Sequence, residues 1–437
     1  MKIQRVWAKK LHGNLTFDIS LTAGINLLVG VNGSGKTSVL NIIQWITTLD
    51  IPNLAITEFD EIGLEIIGKD KKKKNVSAVQ QGTNLYIKCI DSQTDYHPIH
   101  VRLRSLPRDL RNLPTRKDEL ANHYSSLTPE EKEAELWSLL QSISKPLTIS
   151  LDRKITVNKD DYIFVEDENG RVLRKRTSRN ATDPIYQVES IARQQYSQYQ
   201  SQLIKLNETL KAKVISSTFA IRSGGNKVTP ITLAKIDEVE TKLLTRMSAW
   251  TTESNEQESV RSYFKRIRTI INNIRSTNSK QIGSMLSNFL SDDMLRVSAL
   301  SDAFDEFESK AAIAYEPIQI YLRILNSFFE DSKRKLLFND QDNQLYFQVN
   351  EDTKDTRHIN VMSSGERQIL ILLTYIAFSP QMTSIFIIDE PELSLHPKWQ
   401  HQLLPSIDEL MKNRTQMIIA THSPEIVGKY VSKCIEL

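Results

Sequence analysis

The sequence predicts an α/β fold in which a mixed sheet with flanking helices is interrupted by a mainly helical insertion. Three observations support this fold class. An apolar run, a glycine turn and a helical pattern follow one another in residues 24–44. Two further apolar runs, at 384–391 and 417–423, end in polar residues near the C-terminus. Between these regions, residues 185–329 repeat apolar positions at the helical spacings of three and four.

The first of these regions has the spacing of a phosphate-binding loop. We expect a buried strand, a turn and a helix that begins at Lys36. Four residues separate Gly30 from Gly35, and Lys36 and Thr37 follow, as the P-loop pattern requires. Of the 14 glycines in the chain, three stand in this loop. An ordinary glycine turn is the alternative, and the strand, loop and helix context favours the phosphate loop.

Each residue of this loop has a chemical task in binding a nucleotide. Backbone N–H groups at a glycine-rich helix start can surround the β-phosphate, and the positive end of the helix dipole adds to their attraction. We expect Lys36 to bridge the β- and γ-phosphates and the Thr37 hydroxyl to bind Mg²⁺. The predicted nucleotide-binding residues of the loop are Asn32, Gly33, Ser34, Gly35, Lys36, Thr37 and Ser38.

The two apolar runs near the C-terminus are predicted to be buried strands that deliver polar groups to one edge of a sheet. The first run leads to Asp389 and Glu390, and the second leads to His422. Ligands bind at the carboxyl ends of strands in such sheets. We expect Asp389 to bind Mg²⁺ and Glu390 to orient and deprotonate the attacking water. We expect His422 to reach the γ-phosphate, although a strand-end histidine is more often structural.

A Ser-Ser-Gly turn lies ahead of the first of these runs. Residues 359–373 read Ile-Asn-Val-Met-Ser-Ser-Gly-Glu-Arg-Gln-Ile-Leu-Ile-Leu-Leu, and Ser363 can cap the helix that follows. Taken alone, this pattern indicates an ordinary helix cap.

These patterns divide the chain into four segments. An N-terminal lobe with the P-loop is expected at 1–105, and a connecting helix with strands and basic segments at 106–183. A helical insertion follows at 184–333, and a C-terminal lobe at 334–437. Outside the motifs, strands are predicted at 2–7, 15–21, 57–67, 84–91, 147–157, 162–166 and 345–349.

Two further local patterns concern the first half of the chain. Thr128 and Glu131 form a capping-box pattern, which predicts a helix that runs to about Ile143. The sequence from Val101 to Arg116 is rich in arginine and interrupted by proline, so we interpret it as a connection.

Basic residues cluster in three places. A lysine run at 71–74 favours a solvated hairpin tip over a phosphate contact. Arginines also concentrate between Arg104 and Arg116. A later turn from Arg171 to Arg179 has five basic residues in nine positions, which makes it a better candidate for nucleic acid or an acidic partner. A solvated surface remains the alternative for this turn.

Composition excludes several classes of protein. The net charge of +3 gives no global argument for nucleic-acid binding. The two cysteines, Cys89 and Cys434, form no CxxC pair, so neither a zinc site nor a disulfide framework is predicted. No run approaches the ~18 apolar residues of a membrane span, and the N-terminus has no apolar signal region. We therefore expect a soluble, cytoplasmic protein without a membrane partner.

The motifs as a set resemble those of ABC-type ATPases. Gly-Val-Asn-Gly-Ser-Gly-Lys-Thr-Ser resembles their Walker A motif, and Met-Ser-Ser-Gly-Glu-Arg-Gln resembles their signature. Ile-Ile-Asp-Glu-Pro-Glu-Leu-Ser-Leu-His-Pro resembles the Walker B motif with its D-loop, and Ala-Thr-His-Ser-Pro resembles the H-loop. The similarity is greatest to the soluble SMC/RecF/OLD-like branch, which includes ATPase subunits of bacterial anti-phage systems such as PARIS and Septu. The matching segments cover about the first and last hundred residues.

This resemblance implies a P-loop ABC-type ATPase head that binds ATP and Mg²⁺. Its catalytic residues would be Lys36, Glu390 and His422. In that family two heads sandwich two ATP molecules, so the signature of one subunit would face the γ-phosphate held by Lys36 of the other. A homodimer is therefore expected, and higher oligomers stay open. The signature residues implied are Ser363, Ser364, Gly365 and Glu366.

Two features of the family pattern are harder to place. Ser364 stands where many transporters have glycine, which the soluble branch tolerates. Gln80 and Gln81 are the candidates for the Q-loop glutamine, and Lys10 and His12 are the candidates for adenine contacts.

The resemblance also directs the functional prediction. With 15 residues after His422 and no HNH or metal-ligand cluster in the insertion, we expect the effector, a Toprim or HNH nuclease, to be a separate chain. The predicted function is a slow ATPase that senses a phage-derived trigger and controls this nuclease. The alternatives are a RecF-like DNA-repair ATPase that grips DNA through its basic segments, and an ATP-binding scaffold without turnover. A transporter is the weakest alternative, because transporter ATPase domains lack such an insertion.

Overall fold

The computed structural model describes most of the chain and divides it into two compact units. The first unit contains residues 1–195 and 320–437, and the second contains residues 196–319. The described residues are 1–68, 72–91, 96–104, 114–149, 155–156, 163–166, 172–175, 184–218, 233–250, 254–276, 280–349, 356–378, 385–393, 395–411 and 415–437.

The strands of this structure are numbered in chain order. They are β1 (Lys2–Leu11), β2 (Leu15–Ser20), β3 (Ile25–Val29), β4 (Glu61–Ile67), β5 (Lys73–Gln81), β6 (Asn84–Asp91), β7 (Ile99–Arg102), β8 (Leu147–Ile149), β9 (Ile155–Thr156), β10 (Ile163–Glu166), β11 (Val172–Lys175), β12 (Arg334–Phe338), β13 (Leu345–Val349), β14 (Thr356–His358), β15 (Ile385–Asp389), β16 (Gln416–Ala420) and β17 (Cys434–Glu436).

The helices are numbered in the same way. They are α1 (Lys36–Thr48), α2 (Ile51–Ile56), α3 (Pro114–Ser125), α4 (Ala134–Ser142), α5 (Pro184–Thr218), α6 (Leu233–Trp250), α7 (Ser254–Ser276), α8 (Lys280–Phe329), α9 (Ser364–Phe378), α10 (Pro397–Met411) and α11 (Pro424–Val427).

A six-stranded sheet carries the predicted motifs. Its strand order is β17-β3-β16-β15-β8-β9, and every pair is parallel except β8 with β9. Met417 lies opposite Ile25, and Ala420 lies opposite Leu28. The apolar runs of β3, β15 and β16 are buried almost throughout, as strands covered on both faces require.

Helix α1 contacts a second sheet as well as the first. The second sheet is antiparallel, with the order β2-β1-β4-β5-β6-β7. A single core cluster contains Ile43 of α1, Val6 and Leu64 of the antiparallel sheet, and Ile387 and Ile418 of the parallel sheet. The helix that follows the glycine loop is therefore anchored by apolar contacts to both sheets, which fixes the position of the loop.

One buried amide ties the antiparallel sheet to the parallel one, and a second joins two strands of the parallel sheet. The Gln416 side chain accepts from the Ile3 N–H at 2.7 Å and donates to the carbonyl oxygens of Ile3 at 2.7 Å and Thr22 at 2.8 Å. The Asn26 side chain donates to the carbonyl oxygens of Thr22, Gly24 and Met417 at 3.0–3.2 Å. Both side chains are at most 1% exposed, so each satisfies backbone groups that water cannot reach.

The second unit is helical where it is described. An apolar cluster between α6 and α7 contains Ile236, Val239, Phe264, Ile267 and Ile271. On the neighbouring surface, the Arg268 guanidinium forms ion pairs with Asp237 and Glu240 across the same two helices. Together with the two sheets of the first unit, these helices confirm the predicted fold class, an α/β fold with a mixed sheet and a helical insertion.

Several local predictions in the first half of the chain were wrong. The helix predicted from Thr128 begins at Ala134, because the Glu133 carboxylate caps the preceding turn through the Glu130 N–H at 3.1 Å. The same carboxylate accepts from the His100 N–H at 2.7 Å. The predicted strand at 147–157 is an antiparallel pair, β8 and β9, and β5, β7 and α3 were not predicted.

The basic segments are described only in part. In the lysine run, Lys73 pairs with Glu65 at 2.7 Å and Lys74 lies 3.8 Å from Asp91, while Lys71 lies outside the described residues. The segment from Arg104 to Arg116 is interrupted by residues outside the description, and the side chains from Arg171 to Arg179 also lie outside it.

The Gln416 amide gives a direct test of how the two sheets are joined. Replacing it by leucine removes the hydrogen bonds of this side chain to the Ile3 N–H and the Ile3 carbonyl, at a cost of about 1–3 kcal/mol for each buried group left without a partner. The Thr22 carbonyl keeps its bond from Asn26. We expect Gln416→Leu to lower the free energy of unfolding by at least about 2 kcal/mol in a urea titration followed by circular dichroism. Gln4→Leu, on an exposed position of β1, is the control and should change it by less than about 0.5 kcal/mol. Equal effects of the two changes would contradict the assignment.

Candidate functional site

A cavity of about 580 Å³ lies where the predicted motifs meet. It forms at the carboxyl end of β3 and beside the residues that follow β15 and β16. The residues that line it are His12, Asn14, Leu15, Asn32, Gly33, Gly35, Lys36, Thr37, Ser38, Glu390, Leu393 and His422. Six of the seven loop residues predicted to bind nucleotide, Lys36 among them, thus line the cavity. The other two predicted catalytic residues, Glu390 and His422, line it as well.

The glycine loop needs its glycines for conformational reasons. Gly33 has a φ of 86° and Gly35 a φ of 103°, which side chains with a Cβ rarely adopt. A Cβ on Gly35 would also lie 2.7 Å from the Leu15 side chain. Glycine at positions 33 and 35 therefore allows the loop backbone to adopt this conformation without strain.

The Lys36 ammonium is held against the loop. The side chain is 5% exposed, and Nζ donates to the carbonyl oxygens of Gly30 at 2.8 Å and Val31 at 3.1 Å. A buried ammonium with only two neutral carbonyl partners still has one N–H to offer. This places a positive charge beside the loop N–H groups, as a phosphate-binding site requires.

Thr37 and Asp389 meet although 352 residues separate them. The Thr37 hydroxyl donates to Asp389 Oδ2 at 3.1 Å, with Oδ1 at 3.4 Å. Burial raises the pKa of Asp389, and the carboxylates of Glu390 and Glu392 raise this pKa further. The Thr37 hydroxyl and the Lys36 ammonium oppose this shift. Asp389 is therefore a carboxylate that would gain from a nearby cation.

The residues at this point fit Mg²⁺. Magnesium prefers oxygen ligands and usually takes one or two from the protein, with substrate phosphates and water supplying the others. The Thr37 hydroxyl and the Asp389 carboxylate are such ligands. In the described part of the chain, no group of three or more His, Cys, Asp or Glu side chains could hold a metal by itself.

Glu390 and His422 form the opposite wall of the cavity. Glu390 has a φ of 49°, and its N–H donates to the Ala420 carbonyl at 2.8 Å, so β16 holds the backbone in this left-handed conformation. Glu390 Oε1 lies 3.9 Å from His422 Nδ1. The side chain of Glu390 is 23% exposed and that of His422 is 42% exposed, so both can be reached from the cavity.

The signature residues lie at the start of α9 and do not line this cavity. The Ser363 N–H donates to Glu366 Oε2 at 2.8 Å, and the Glu366 N–H donates to Ser363 Oγ at 3.4 Å, which is a capping box. Arg334 also donates to both Glu366 oxygens at 2.8 and 2.9 Å. Glu366 is thus engaged within its own lobe, whereas Ser363 and Ser364 are exposed. Their contact with a nucleotide stays a prediction.

The candidates for the Q-loop and for adenine contacts divide between the cavity and its surroundings. His12 lines the cavity, while Lys10 pairs with Asp60 at 2.9 Å. Gln80 donates to the carbonyl oxygens of Leu54 and Thr57 at 3.0 and 2.8 Å, so it supports the end of α2. Neither Gln80 nor Gln81 lines the cavity.

Sequence reasoning missed several residues at the site. Asn14 and Leu15 line the cavity from the turn between β1 and β2, two or three positions after His12. Leu393 follows Glu390 by three positions. Glu392 contacts the Thr421 side chain and the His422 backbone. Its signal was the third acid of the sequence Asp-Glu-Pro-Glu, which the interpretation of the first two acids left unused.

A search for membrane-spanning helices gives a negative result for the described part of the chain, where no helix combines sufficient length with sufficient apolar character.

Comparison with known proteins gives one match to most of the chain. A family model described as AAA ATPase domain matches residues 1–427. Curated relatives match shorter segments. The "Retron Ec83 probable ATPase" of Escherichia coli is 38% identical over 76 residues, or 15% of this chain and 14% of that protein. The "Retron Vc95 probable ATPase" of Vibrio cholerae is 31% identical over 87 residues, or 17% of each protein.

A solved structure also aligns with the chain. The Smc head domain of Pyrococcus furiosus, with an extended coiled coil and bound to the C-terminal domain of ScpA, aligns over 99% of this chain and 92% of that chain. The two are 13% identical, with a TM-score of 0.37.

The raised pKa of Asp389 predicts that the site lowers the stability of the ligand-free protein. A carboxyl group whose pKa is higher in the folded state binds its proton more tightly there than in the unfolded chain. Stability then falls as the pH rises from the unfolded pKa through the folded one. We expect Asp389→Asn to raise the melting temperature at pH 7 without ligand.

The same variant should lose the stabilisation that Mg²⁺ with ATP gives to the unchanged protein. Asp302→Asn, on an exposed position of α8, is the control and should alter neither melting temperature. A lower melting temperature for ligand-free Asp389→Asn would contradict the assigned cost of burying this carboxylate.

Proposed function

The chain belongs to the AAA ATPase domain family, and from this premise we propose that it binds ATP with Mg²⁺ in the cavity beside Lys36 and hydrolyses it to ADP and phosphate. The predicted membership of the AAA family of ATPases is confirmed by this family match. The observation that carries the proposal is the contact of Thr37 with Asp389, next to Lys36, Glu390 and His422.

The loop and Lys36 bind the phosphates in this proposal. Loop N–H groups and the Lys36 ammonium are fixed donors that remain in place as negative charge develops on the transferred phosphoryl group. Thr37 and Asp389 would hold Mg²⁺, which would supply positive charge to neutralise the charge that develops on the phosphate oxygens.

Glu390 is the proposed general base. Its left-handed backbone directs the residue to the cavity wall, where the carboxylate can accept a proton from a water beside the γ-phosphate. His422, with Nδ1 at 3.9 Å from Glu390, contacts the γ-phosphate from the same side. The two side chains come from the ends of neighbouring strands, so their spacing is set by the pairing of β15 with β16.

A second copy of the chain completes the site in this proposal. Ser363 and Ser364 are exposed at the start of α9, and the signature does not line the cavity of its own chain. A helix start with exposed hydroxyls suits a phosphate, because backbone N–H groups and the helix dipole point the same way. ATP therefore joins two heads, with one signature facing each bound γ-phosphate.

We further propose that ATP-driven association of heads controls a separate effector in anti-phage defence. Two considerations support this role: the similarity to the two retron ATPases, and the motif resemblance to ATPase subunits of defence systems. The effector is a nuclease that binds the ATP state and the ADP state with different affinities. This difference is the only source of free energy that can couple hydrolysis to its release.

Two substitutions separate nucleotide binding from hydrolysis. Lys36→Ala removes the phosphate-binding cation, so we expect no detectable ATP binding by isothermal titration calorimetry. Glu390→Gln keeps the shape of the side chain but removes the base, so binding should persist while kcat falls by about 10²–10⁴-fold. In ATP and Mg²⁺ this variant should accumulate as a dimer in analytical ultracentrifugation.

Glu131→Gln, an exposed position before α4, is the matched control and should behave as the unchanged protein. If Glu390→Gln hydrolyses ATP at the normal rate, Glu390 is not the general base. If the unchanged protein and all variants remain monomeric in ATP, the proposal that two subunits form the site is wrong. Nucleotide binding by a single subunit would still stand.

The proposed role in defence is tested by purification of a partner. We would express tagged Glu390→Gln with its native neighbouring genes, purify it in ATP and Mg²⁺, and identify what accompanies it by mass spectrometry and nucleic-acid staining. A stoichiometric nuclease that is absent from the Lys36→Ala preparation is the expected result. Recovery of DNA without a protein partner would favour the DNA-repair alternative instead.

A further inference from the structure

Glu392 is a buried carboxylate that faces the H-loop. It follows Glu390 by two positions and is 6% exposed. Its Oε1 atom accepts from the Thr421 hydroxyl at 2.9 Å and from the His422 N–H at 2.8 Å. A buried carboxylate is costly unless such donors compensate it, so its position here calls for a reason beyond packing.

The same oxygen lies beside the His422 ring. Glu392 Oε1 is 3.2 Å from His422 Nδ1, whereas Glu390 Oε1 is 3.9 Å away. A separation of 3.2 Å is within the distance range for an N–H···O hydrogen bond, although the ring is not aligned for one in this structure. The other oxygen, Oε2, is buried and has no hydrogen-bond partner among the described residues. The carboxylate therefore retains capacity to accept a further N–H.

Neighbouring hydrogen bonds hold the segment after β15 and the segment after β16 in place. They therefore keep Glu392 close to His422. The Ser423 hydroxyl donates to Gln400 Oε1 at 2.7 Å. Gln400 Nε2 donates to the Leu395 carbonyl at 3.0 Å, and the Glu392 carbonyl lies 3.4 Å from it. The segment after β15 and the segment after β16 are thus joined by side chains on either side of His422.

We propose that Glu392 is a positioning residue for His422 and selects the ring form with a proton on Nδ1. This inference rests on the proposed ATPase function for its consequence in catalysis. With Nδ1–H facing Glu392, Nε2 on the opposite edge of the ring is unprotonated and acts only as an acceptor. His422 can then reach the γ-phosphate only through a water that donates a hydrogen bond to Nε2.

The physical reason is the choice between two tautomers. A neutral imidazole carries its proton on either nitrogen, and the group that one nitrogen contacts decides which form is present. A carboxylate offers only acceptors, so it stabilises the form with N–H on the nitrogen that faces it. Carboxylates that orient active-site histidines in this way typically affect activity by about 10–100-fold, and a wrong tautomer can cost more.

The tautomer can be measured directly without nucleotide. The chain has 8 histidines, and a long-range ¹H–¹⁵N spectrum of protein labelled only at histidine distinguishes protonated from unprotonated ring nitrogens. The His422 signals are assigned by their loss in His422→Gln. We expect Nδ1 of His422 to carry a proton. An unprotonated Nδ1 in the unchanged protein would overturn the proposal, and this result needs no variant at Glu392.

A variant pair then tests cause. Glu392→Gln keeps the size of the side chain but removes the charge, so the preference for Nδ1–H should weaken and kcat for ATP should fall by at least about tenfold. The dissociation constant for ATP should change much less, because Lys36 and the loop hold the phosphates. Thr421→Val is the control: it removes another donor to the same oxygen and should leave the tautomer unchanged.

The outcomes separate this inference from the proposed function. Equal tautomer populations in Glu392→Gln and the unchanged protein would overturn the inference, even if the protein hydrolyses ATP. So would a shift in Thr421→Val as large as that in Glu392→Gln, because the effect would then be structural. Failure of the unchanged protein to bind or hydrolyse ATP would overturn the proposed function, while the tautomer measurement would still decide the position of His422.

Discussion

The pairing of β3 with β16 is the constraint on which the rest of the structure depends. These strands are almost 400 residues apart in the chain, yet Met417 to Ala420 lie in register with Ile25 to Leu28. Lys36 follows β3 through the glycine loop, and His422 follows β16. The next strand, β15, ends at Asp389. One parallel ladder therefore determines which side chains meet at the cavity. The buried Asn26 amide joins its two central strands, and the buried Gln416 amide secures the ladder against the second sheet.

The site combines several arrangements that cost stability. Asp389 is a partly buried carboxylate with two further acids nearby, and Glu390 adopts a backbone conformation that a residue with a Cβ seldom takes. Glu392 adds a buried charge. The surrounding apolar strands can hold such groups because β3, β15 and β16 are buried on both faces. Stability supplied by the sheet thus keeps acidic groups close together, where a bound cation would compensate their charge.

The sequence predicted best those parts that depend on local patterns. Strand β3 and the start of α1 were predicted at their observed residues, because an apolar run and a glycine loop are both short-range signals. The start of α4 was not, since Glu133 caps the turn instead of the predicted pair. Strand β5 escaped prediction because its polar residues become a strand only between β4 and β6. The contact between Glu392 and His422 depends on the same kind of long-range pairing, which no spacing in the sequence indicates.

The division of the first unit between residues 1–195 and 320–437 has a consequence for biosynthesis. During synthesis of the intervening residues, β3 has not yet paired with its parallel neighbour β16. Part of its apolar side-chain surface is therefore still exposed to solvent. At about 5–20 residues per second, synthesis of the almost 400 residues from β3 to β16 takes roughly 20–80 seconds. A strand with an open edge invites pairing with other chains. Nascent copies therefore depend on molecular chaperones, or on early packing of α1 against the antiparallel sheet, to reach the closed fold without aggregating.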